Sequence, residues 1–432
     1  MRAACWTTPP RVLISAYACE PGRGSEPGIG WNLVRQVGAH CDAWVITRAN
    51  NRPSIESALS ESGAGNLRFV YYDLPRWARF WKRGRRGLYL YYYLWQIGAY
   101  RLARRLDREI GFDIAHHVTF GAYWMPSLLS LLPIPFVWGP VGGGEATPPC
   151  LYGALTFAGR TLERVRSFVQ SLAHVDPFVR RTARRSAVAL ATTAESARAV
   201  RRLGARDVRI LPAVGIPAGE IAALSLTPLP GGSPFRMAAI GVLVEWKGFA
   251  LAIRALARLR AALPNAELSI IGEGRERSRL QDLARDLGLS DVVRFTGPLS
   301  RNEVFRALAQ CDALVHPSMH DSGAYVCAEA LAAGRPVICL DLGGPALQVT
   351  PECGVKVPAG TPAEVVSRLA LAMLTLASSA SLRQRMAQAA RRRVHEHLSW
   401  DQKGDQILSI YAEILARQTT QAGALMPIEV HP

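Results

Sequence analysis

His316-Pro-Ser-Met-His-Asp-Ser-Gly-Ala-Tyr-Val-Cys-Ala-Glu-Ala-Leu-Ala-Ala-Gly-Arg-Pro-Val-Ile338 reads as the end of a buried strand, a turn of small residues, a helix opening near Gly323, and a second strand entered through Arg335-Pro336. Asp321 and Glu329 stand eight residues apart across the turn and the first helical turns. The backbone N–H groups of Ser322, Gly323, Ala324, Tyr325 and Val326 lie at the start of that helix, where the positive end of its dipole favours a phosphate or a polarised oxygen. A carboxylate on either side can accept hydrogen bonds from sugar hydroxyls. The combination suits a nucleotide sugar.

Working outward, the strand Ala313-Leu-Val-His316 is the last of a β–α series. The series runs through Phe235-Arg-Met-Ala-Ala-Ile-Gly241, Glu267-Leu-Ser-Ile-Ile271 and Val292-Val-Arg-Phe295, with helical patterns after Lys247, Arg275 and Asn302. An earlier series runs from Val12 to Leu211 through Ala43-Trp-Val-Ile-Thr47, Leu67-Arg-Phe-Val-Tyr-Tyr-Asp-Leu74, Asp113-Ile-Ala-His-His-Val118, Pro135-Phe-Val-Trp-Gly139 and Ala187-Val-Ala-Leu-Ala-Thr-Thr193. This order predicts two α/β domains, each with a doubly wound parallel sheet whose ligands bind beyond the carboxyl ends of the strands. The domains are 1–215 and 235–397, joined by a proline- and glycine-rich linker over 216–234. A last helix follows over 398–417, and the aperiodic tail 418–432 is expected to be disordered.

The chain has 432 residues and a net charge of +17, and the first half carries the charge, with 29 basic against 14 acidic residues through Gly215 and 22 against 20 after it. Such a field points to a polyanion or an anionic membrane surface as partner. Its eight cysteines are scattered without metal-ligand spacing, as reduced thiols in a cytoplasm would be. No signal-like N-terminus and no long uncharged apolar run is read, so the expected location is cytoplasmic.

Arg76-Trp-Ala-Arg-Phe-Trp-Lys-Arg-Gly-Arg-Arg86 and Leu88-Tyr-Leu-Tyr-Tyr-Tyr-Leu-Trp95 interleave aromatic and basic residues, followed by Arg101, Arg104, Arg105 and Arg108. Such composition over 76–108 reads as a membrane-interface contact, with Arg83, Arg85 and Arg86 on the lipid. The alternative is a core helix with inward aromatics and a solvated basic face. Aromatics among arginines could also stack on single-stranded nucleic acid, but no RNA module surrounds them.

Asp321-x7-Glu329 followed by Ala330-Leu-Ala-Ala-Gly-Arg-Pro-Val337 resembles the E-x7-E signature of retaining glycosyltransferases of the GT-B fold, family 4. Gly241-Val-Leu-Val-Glu-Trp-Lys-Gly248 resembles the family's G-R-L-x-x-x-K-G, with Lys247 matched and Val242 in place of the arginine. The glycine loop Cys19 to Trp31 and the triple-glycine turn ending at Glu145 resemble a subgroup that builds bacterial surface polysaccharides.

The resemblance implies two Rossmann-like domains facing a cleft, with donor on the second and acceptor on the first, and a last helix over 398–417 that crosses back to the first domain. Asp321 would hold the transferred hexosyl group, Glu329 the ribose, and Lys247 and the turn amides the diphosphate. Gly272, Gly274, Gly297 and Leu299 would line the base pocket, and Gly24 and Ser25 would contact diphosphate or acceptor. One of His116 and His117 would approach the sugar, since strand neighbours face opposite sides. No Asp-x-Asp metal motif is present, and no cofactor beyond the donor sugar is expected. The acceptor would be a glycan or lipid-linked oligosaccharide, with the protein peripheral at the inner face of the plasma membrane. A donor-binding scaffold without turnover is the other reading of Val242 and the shorter Asp321.

Overall fold

The computed structural model describes residues 6, 8–78 and 87–424. The first sheet contains β1 (Arg11–Ala16), β2 (Asp42–Thr47), β3 (Leu67–Tyr71), β4 (Ile114–Thr119), β5 (Phe136–Val141), β6 (Ser186–Ala191) and β7 (Val208–Ile210). Its spatial order is β3-β2-β1-β4-β5-β6-β7, and every pairing is parallel. The second contains β8 (Arg236–Ile240), β9 (Glu267–Ile271), β10 (Val293–Gly297), β11 (Ala313–His316), β12 (Val337–Leu340) and β13 (Gly354–Val357). Its order is β10-β9-β8-β11-β12-β13, also parallel. Helices cover both faces, so the central strands β4, β5, β11 and β12 are buried at every residue.

Strand order reverses between β1 and β4 in one sheet and between β8 and β11 in the other. At such a switch point neighbouring loops diverge to opposite faces and leave a crevice. The loops after β1 and β4 face those after β8 and β11 across the interdomain cleft.

Two straps fasten the domains. The β5–β6 connection crosses to the second domain, where Leu151 and Leu155 join the core around Met237, Ile253 and Val365. Thr156 anchors it, donating its N–H to Glu245 Oε2 at 2.7 Å and its hydroxyl to Oε1 at 2.8 Å. In return the helix Trp400–Ala424 packs Trp400, Ile407, Tyr411 and Ile414 into the first domain beside Val12 and Val34. The linker out of the first domain and the return into it lie side by side in an isolated parallel bridge between Ile216 and Ser399.

Several expectations are corrected. Residues 149–155 pack with the second domain although they fall within 1–215, because their leucines complete its core. The linker 216–234 contains the helix Ala218–Ser225, whose Leu224 is buried against the signature helix. The last helix continues to Ala424, so 418–424 is helical; residues 425–432 lie outside those described.

In the basic aromatic segment, 79–86 with Arg83, Arg85 and Arg86 also lies outside the described residues. The helix Leu88–Ile110 turns Tyr91, Tyr92 and Trp95 into the core. Tyr17 meets Tyr92 and Trp95 edge to face, both at 5.2 Å. Those rings are core, not interface. Arg101, Arg104, Arg105 and Arg108 form the solvated face.

Lys403, on the returning helix, is 2% exposed and donates from Nζ to Pro212 O at 2.5 Å. Burial, and then the nearby Arg393 charge, push its pKa from 10.5 down to about 7. Between those values the unfolded chain holds a proton that the folded chain has released, so this residue makes stability rise with pH from about 7 to 10.5. Thermal midpoints across that range should climb more for the native protein than for Lys403→Met; parallel profiles would show that Lys403 is charged in the fold.

Candidate functional site

A cleft cavity of 640 Å³ lies between the switch points, lined from one side by Ser25, Glu26 and Phe120 and from the other by Lys247, Asp321 and Glu329. Its best-organised wall is the turn after β11. Asp321 Oδ2 receives the Lys247 ammonium and lies 3.3 Å from His316 Nε2. The other oxygen, Oδ1, accepts from the N–H groups of Gly323 and Ala324, both at 3.2 Å.

Burial opposes the Asp321 charge, but the His316 hydrogen bond and the Lys247 ammonium win and hold its carboxyl well below the usual carboxylate range. His316 is lowered by its own burial, so it bonds as a neutral imidazole. The negative charge at Asp321 is therefore fixed, and Lys247 is the cation that balances it.

Two of the turn amides expected to face a ligand are thus already taken by Asp321. Because Ala324 adopts a left-handed conformation at φ 53°, the helix starts at Tyr325 and runs to Ala332, not from Gly323. Tyr325 and Val326, whose first-turn N–H groups have no acceptor one turn back, line the cavity with Ser322.

Glu329 sits one helical turn deeper, 5% exposed. Arg301 Nη1 lies 2.9 Å from Glu329 Oε1, and its Nε donates to Glu220 Oε1 at 2.9 Å. Burial raises the Glu329 pKa, with Arg301 acting against it. One arginine bridges two carboxylates, and Glu329 is among the residues that line the cleft. Arg301 opens its helix just after the Ser300 cap, in a capping box closed by Glu303. The Ser-x-x-Glu pattern signals that helix start in the sequence, but nothing local says that its arginine reaches Glu329.

Glu145 ties the first domain to the signature turn. Its Oε2 accepts from Ser322 Oγ at 2.8 Å and Gly143 N at 2.9 Å. Its Oε1 accepts from Ser196 Oγ at 2.8 Å and from the Thr193 hydroxyl. The triple glycine before it is required by close approach: a Cβ on Gly142 would stand 2.9 Å from Ser322 Cβ across the cleft.

A second link joins the domains at His320. It stacks on Trp246, with centroids 4.3 Å apart, and its Nε2 lies 3.1 Å from Glu163 Oε1. Glu163 comes from the helix Phe157–Leu172 of the first domain. Arg301, Glu145, Glu163 and His320 were not among the sequence candidates, because their partners are far off in the chain; His316 was not among them either, although Asp321 is only five residues on.

Other candidates fall away from the cavity. His116 and His117 are both fully buried. His116 bonds to Tyr411 Oη at 2.5 Å and Gly139 O at 2.7 Å, while His117 Nε2 is 3.2 Å from Phe120 O. Burial pushes their pKa values down to about 3 and about 4. Neither histidine lines the cleft, which corrects the expectation that one would; Phe120 and the Glu26 carboxylate occupy that wall instead.

Gly272, Gly274, Gly297 and Leu299 are likewise not in the cavity lining. A Cβ on Gly272 would lie 2.0 Å from Gly241 O, so this glycine serves packing of the strand-end loops against each other. Ser25 lines the cleft, and Gly24 lies beside Arg301, its notional Cβ 3.9 Å from Nη1. Val242 is an exposed side chain on the same wall as Lys247.

Comparison with known proteins gives a consistent picture. Residues 230–393 match the model of glycosyl transferases group 1. A GDP-mannose-dependent alpha-mannosyltransferase of Mycobacterium tuberculosis is 38% identical over 163 residues, 38% of this chain and 40% of the relative. The lipopolysaccharide core biosynthesis glycosyltransferase LpsE of Rhizobium meliloti is 35% identical over 201 residues, 46% of this chain and 55% of the relative. The chain spans about half the length of the curated relatives it matches. Among solved structures, the sucrose-phosphate synthase of Thermosynechococcus elongatus superposes with a TM-score of 0.65 at 17% identity, over 94% of this chain and all of that one. At that identity the likeness concerns the fold. Residues 230–393, which match the glycosyl transferases group 1 model, form most of the second domain of a chain with the two-domain GT-B architecture.

Proposed function

We propose that this chain is a retaining, metal-independent glycosyltransferase of family 4. It moves a hexosyl group from a nucleotide-diphosphate sugar to a hydroxyl of a glycan or lipid-linked acceptor in bacterial surface polysaccharide assembly. The observation that carries this is the convergence of Lys247, Asp321, the open first-turn amides and Glu329 on one wall of a cavity at both switch points. The names of the relatives that share this half, a mannosyltransferase and a lipopolysaccharide core transferase, support a sugar donor and a glycan acceptor.

In this reading Glu329 accepts the ribose hydroxyls, its carboxylate held by Arg301. Asp321, kept ionised, accepts from the sugar hydroxyls. Lys247 and the amides of Tyr325 and Val326 stabilise the negative charge that grows on the departing diphosphate. The bond from the anomeric carbon to the diphosphate breaks while the acceptor oxygen attacks on the same face, and its proton passes to the leaving phosphate. Positive charge comes from the chain itself, so no Asp-x-Asp metal site is needed. The protein would work in the cytoplasm, peripheral to the inner face of the plasma membrane.

Thermal unfolding with UDP, GDP, ADP and dTDP sugars should show one nucleotide that stabilises the protein, by about 2.7 kcal/mol at a hundred times its Kd, and the shift should survive chelator. No shift with any donor, together with no transfer to glycan acceptors, would remove the reading. Glu329→Ala should reduce transfer about 10- to 100-fold, the loss expected of hydrogen bonds to a charged group. Transfer at the native rate in that variant would place the ribose elsewhere.

A further inference from the structure

The helix Phe157–Leu172 is built inside out. Its buried positions are Gly159, Glu163 and Gln170, and these face the rest of the protein through polar contacts. Glu163 meets His320, and Gln170 Nε2 donates to Gly143 O at 2.9 Å. Its outward face is apolar: Phe157 is 82% exposed and Phe168 64%, with Leu162, Val165, Val169 and Leu172 also open and Val175 73% exposed in the turn beyond. A soluble surface helix has the opposite arrangement.

Charge on this face is one-sided. From Phe157 to Arg185 the sequence has seven arginines and two acids. One acid, Glu163, is buried and paired with Arg166 at 3.6 Å. The other, Asp176, caps the helix Pro177–Arg185 through the N–H groups of Phe178 and Val179. Arg160, Arg164, Arg180, Arg181, Arg184 and Arg185 are exposed.

The patch continues toward the cleft. Phe178 meets Tyr93 edge to face at 6.4 Å, and on the same helix as Tyr93 the exposed Tyr89 and Leu90 lead to Leu88 and Tyr89 in the cavity wall. No single helix among the described residues is long and apolar enough to cross a membrane.

We propose that the helix Phe157–Leu172, with the following turn to Phe178, is a docking surface for an anionic lipid bilayer. The helix lies along the headgroup layer with its rings in the acyl boundary and its arginines on the lipid phosphates. A bilayer fits better than a protein partner for two reasons. The apolar side chains stand well exposed along the helix, and the cations flank them without an exposed acid in the segment to set a register. The surface differs from the basic aromatic stretch 76–108, most of whose described rings are core. Its consequence for catalysis rests on the transferase reading: docking here turns the Leu88 and Tyr89 mouth of the cleft toward a lipid-borne acceptor.

The test is sedimentation of the full chain with vesicles of equal parts phosphatidylglycerol and phosphatidylcholine, and with phosphatidylcholine alone, beside a donor-shift and soluble-acceptor assay. The native protein should pellet with the anionic vesicles and less with the neutral ones. Val165→Asp with Phe168→Asp and Leu172→Asp, all at exposed positions, should lower binding at least about tenfold while the thermal midpoint and transfer to a soluble acceptor stay unchanged. Arg160→Gln with Arg164→Gln should weaken binding to anionic vesicles only, and Leu371→Asp, an exposed apolar site on the second domain, should change nothing. Vesicle binding equal to native in the triple variant overturns the proposal, as does a native dimer that the triple variant dissolves, since the face would then be a subunit interface. Vesicle binding with no donor shift and no transfer would keep the docking surface and remove the transferase reading; transfer without vesicle binding would do the reverse.

Discussion

One partly buried carboxylate organises the cleft. Asp321 joins the end of β11 through His316, the loop after β8 through Lys247, and the turn before the signature helix through Gly323 and Ala324. Burial makes an unpaired charge costly, so each partner is held in place by the others. The turn amides that Asp321 takes are no longer open to a ligand, and the open ones are displaced by one helical position. The site thereby has a fixed negative charge beside a fixed positive one, which suits a ligand with hydroxyls next to a diphosphate.

The two domains are not simply tethered. Each sends a segment into the other's core: Leu151 and Leu155 in one direction, Trp400 and Tyr411 in the other. Between these straps, Glu145 with Ser322 and Glu163 with His320 bond across the cleft itself. Both bonds land on residues flanking Asp321, so the position of the first domain is felt at the turn that holds the charge. The helix carrying Glu163 has polar contacts inward and apolar side chains outward, which couples a surface facing the surroundings to the site at a single residue's remove.

The two β–α series and the switch-point loops were legible in the sequence because apolar runs and punctuating glycines are local signals, and both sheets appear where those runs predicted. Asp321, Glu329 and the turn at Ser322 to Tyr325 were found in the same way, since spacing within one strand–turn–helix fixes their neighbourhood, whereas Lys247, 74 residues before Asp321, was found through the resemblance of its own glycine-flanked loop. The histidines at 116 and 117 were misread. Strand alternation sends adjacent side chains to opposite faces, but both faces of this central strand are covered, and each imidazole found a partner in the interior. The aromatic run after Leu88 was ambiguous for a similar reason: composition does not distinguish a ring facing lipid from one facing Tyr17.

The sequence by itself determined the elements, their order and the two acids placed on one strand–turn–helix, all of which are read from local periodicity and spacing. Tertiary structure alone decided that Arg301 serves Glu329, that Glu145 reaches Ser322, and that the basic helix after Thr156 faces outward with its apolar side. Those outcomes depend on which surfaces remain uncovered once two sheets and two straps have packed, and no local period encodes that.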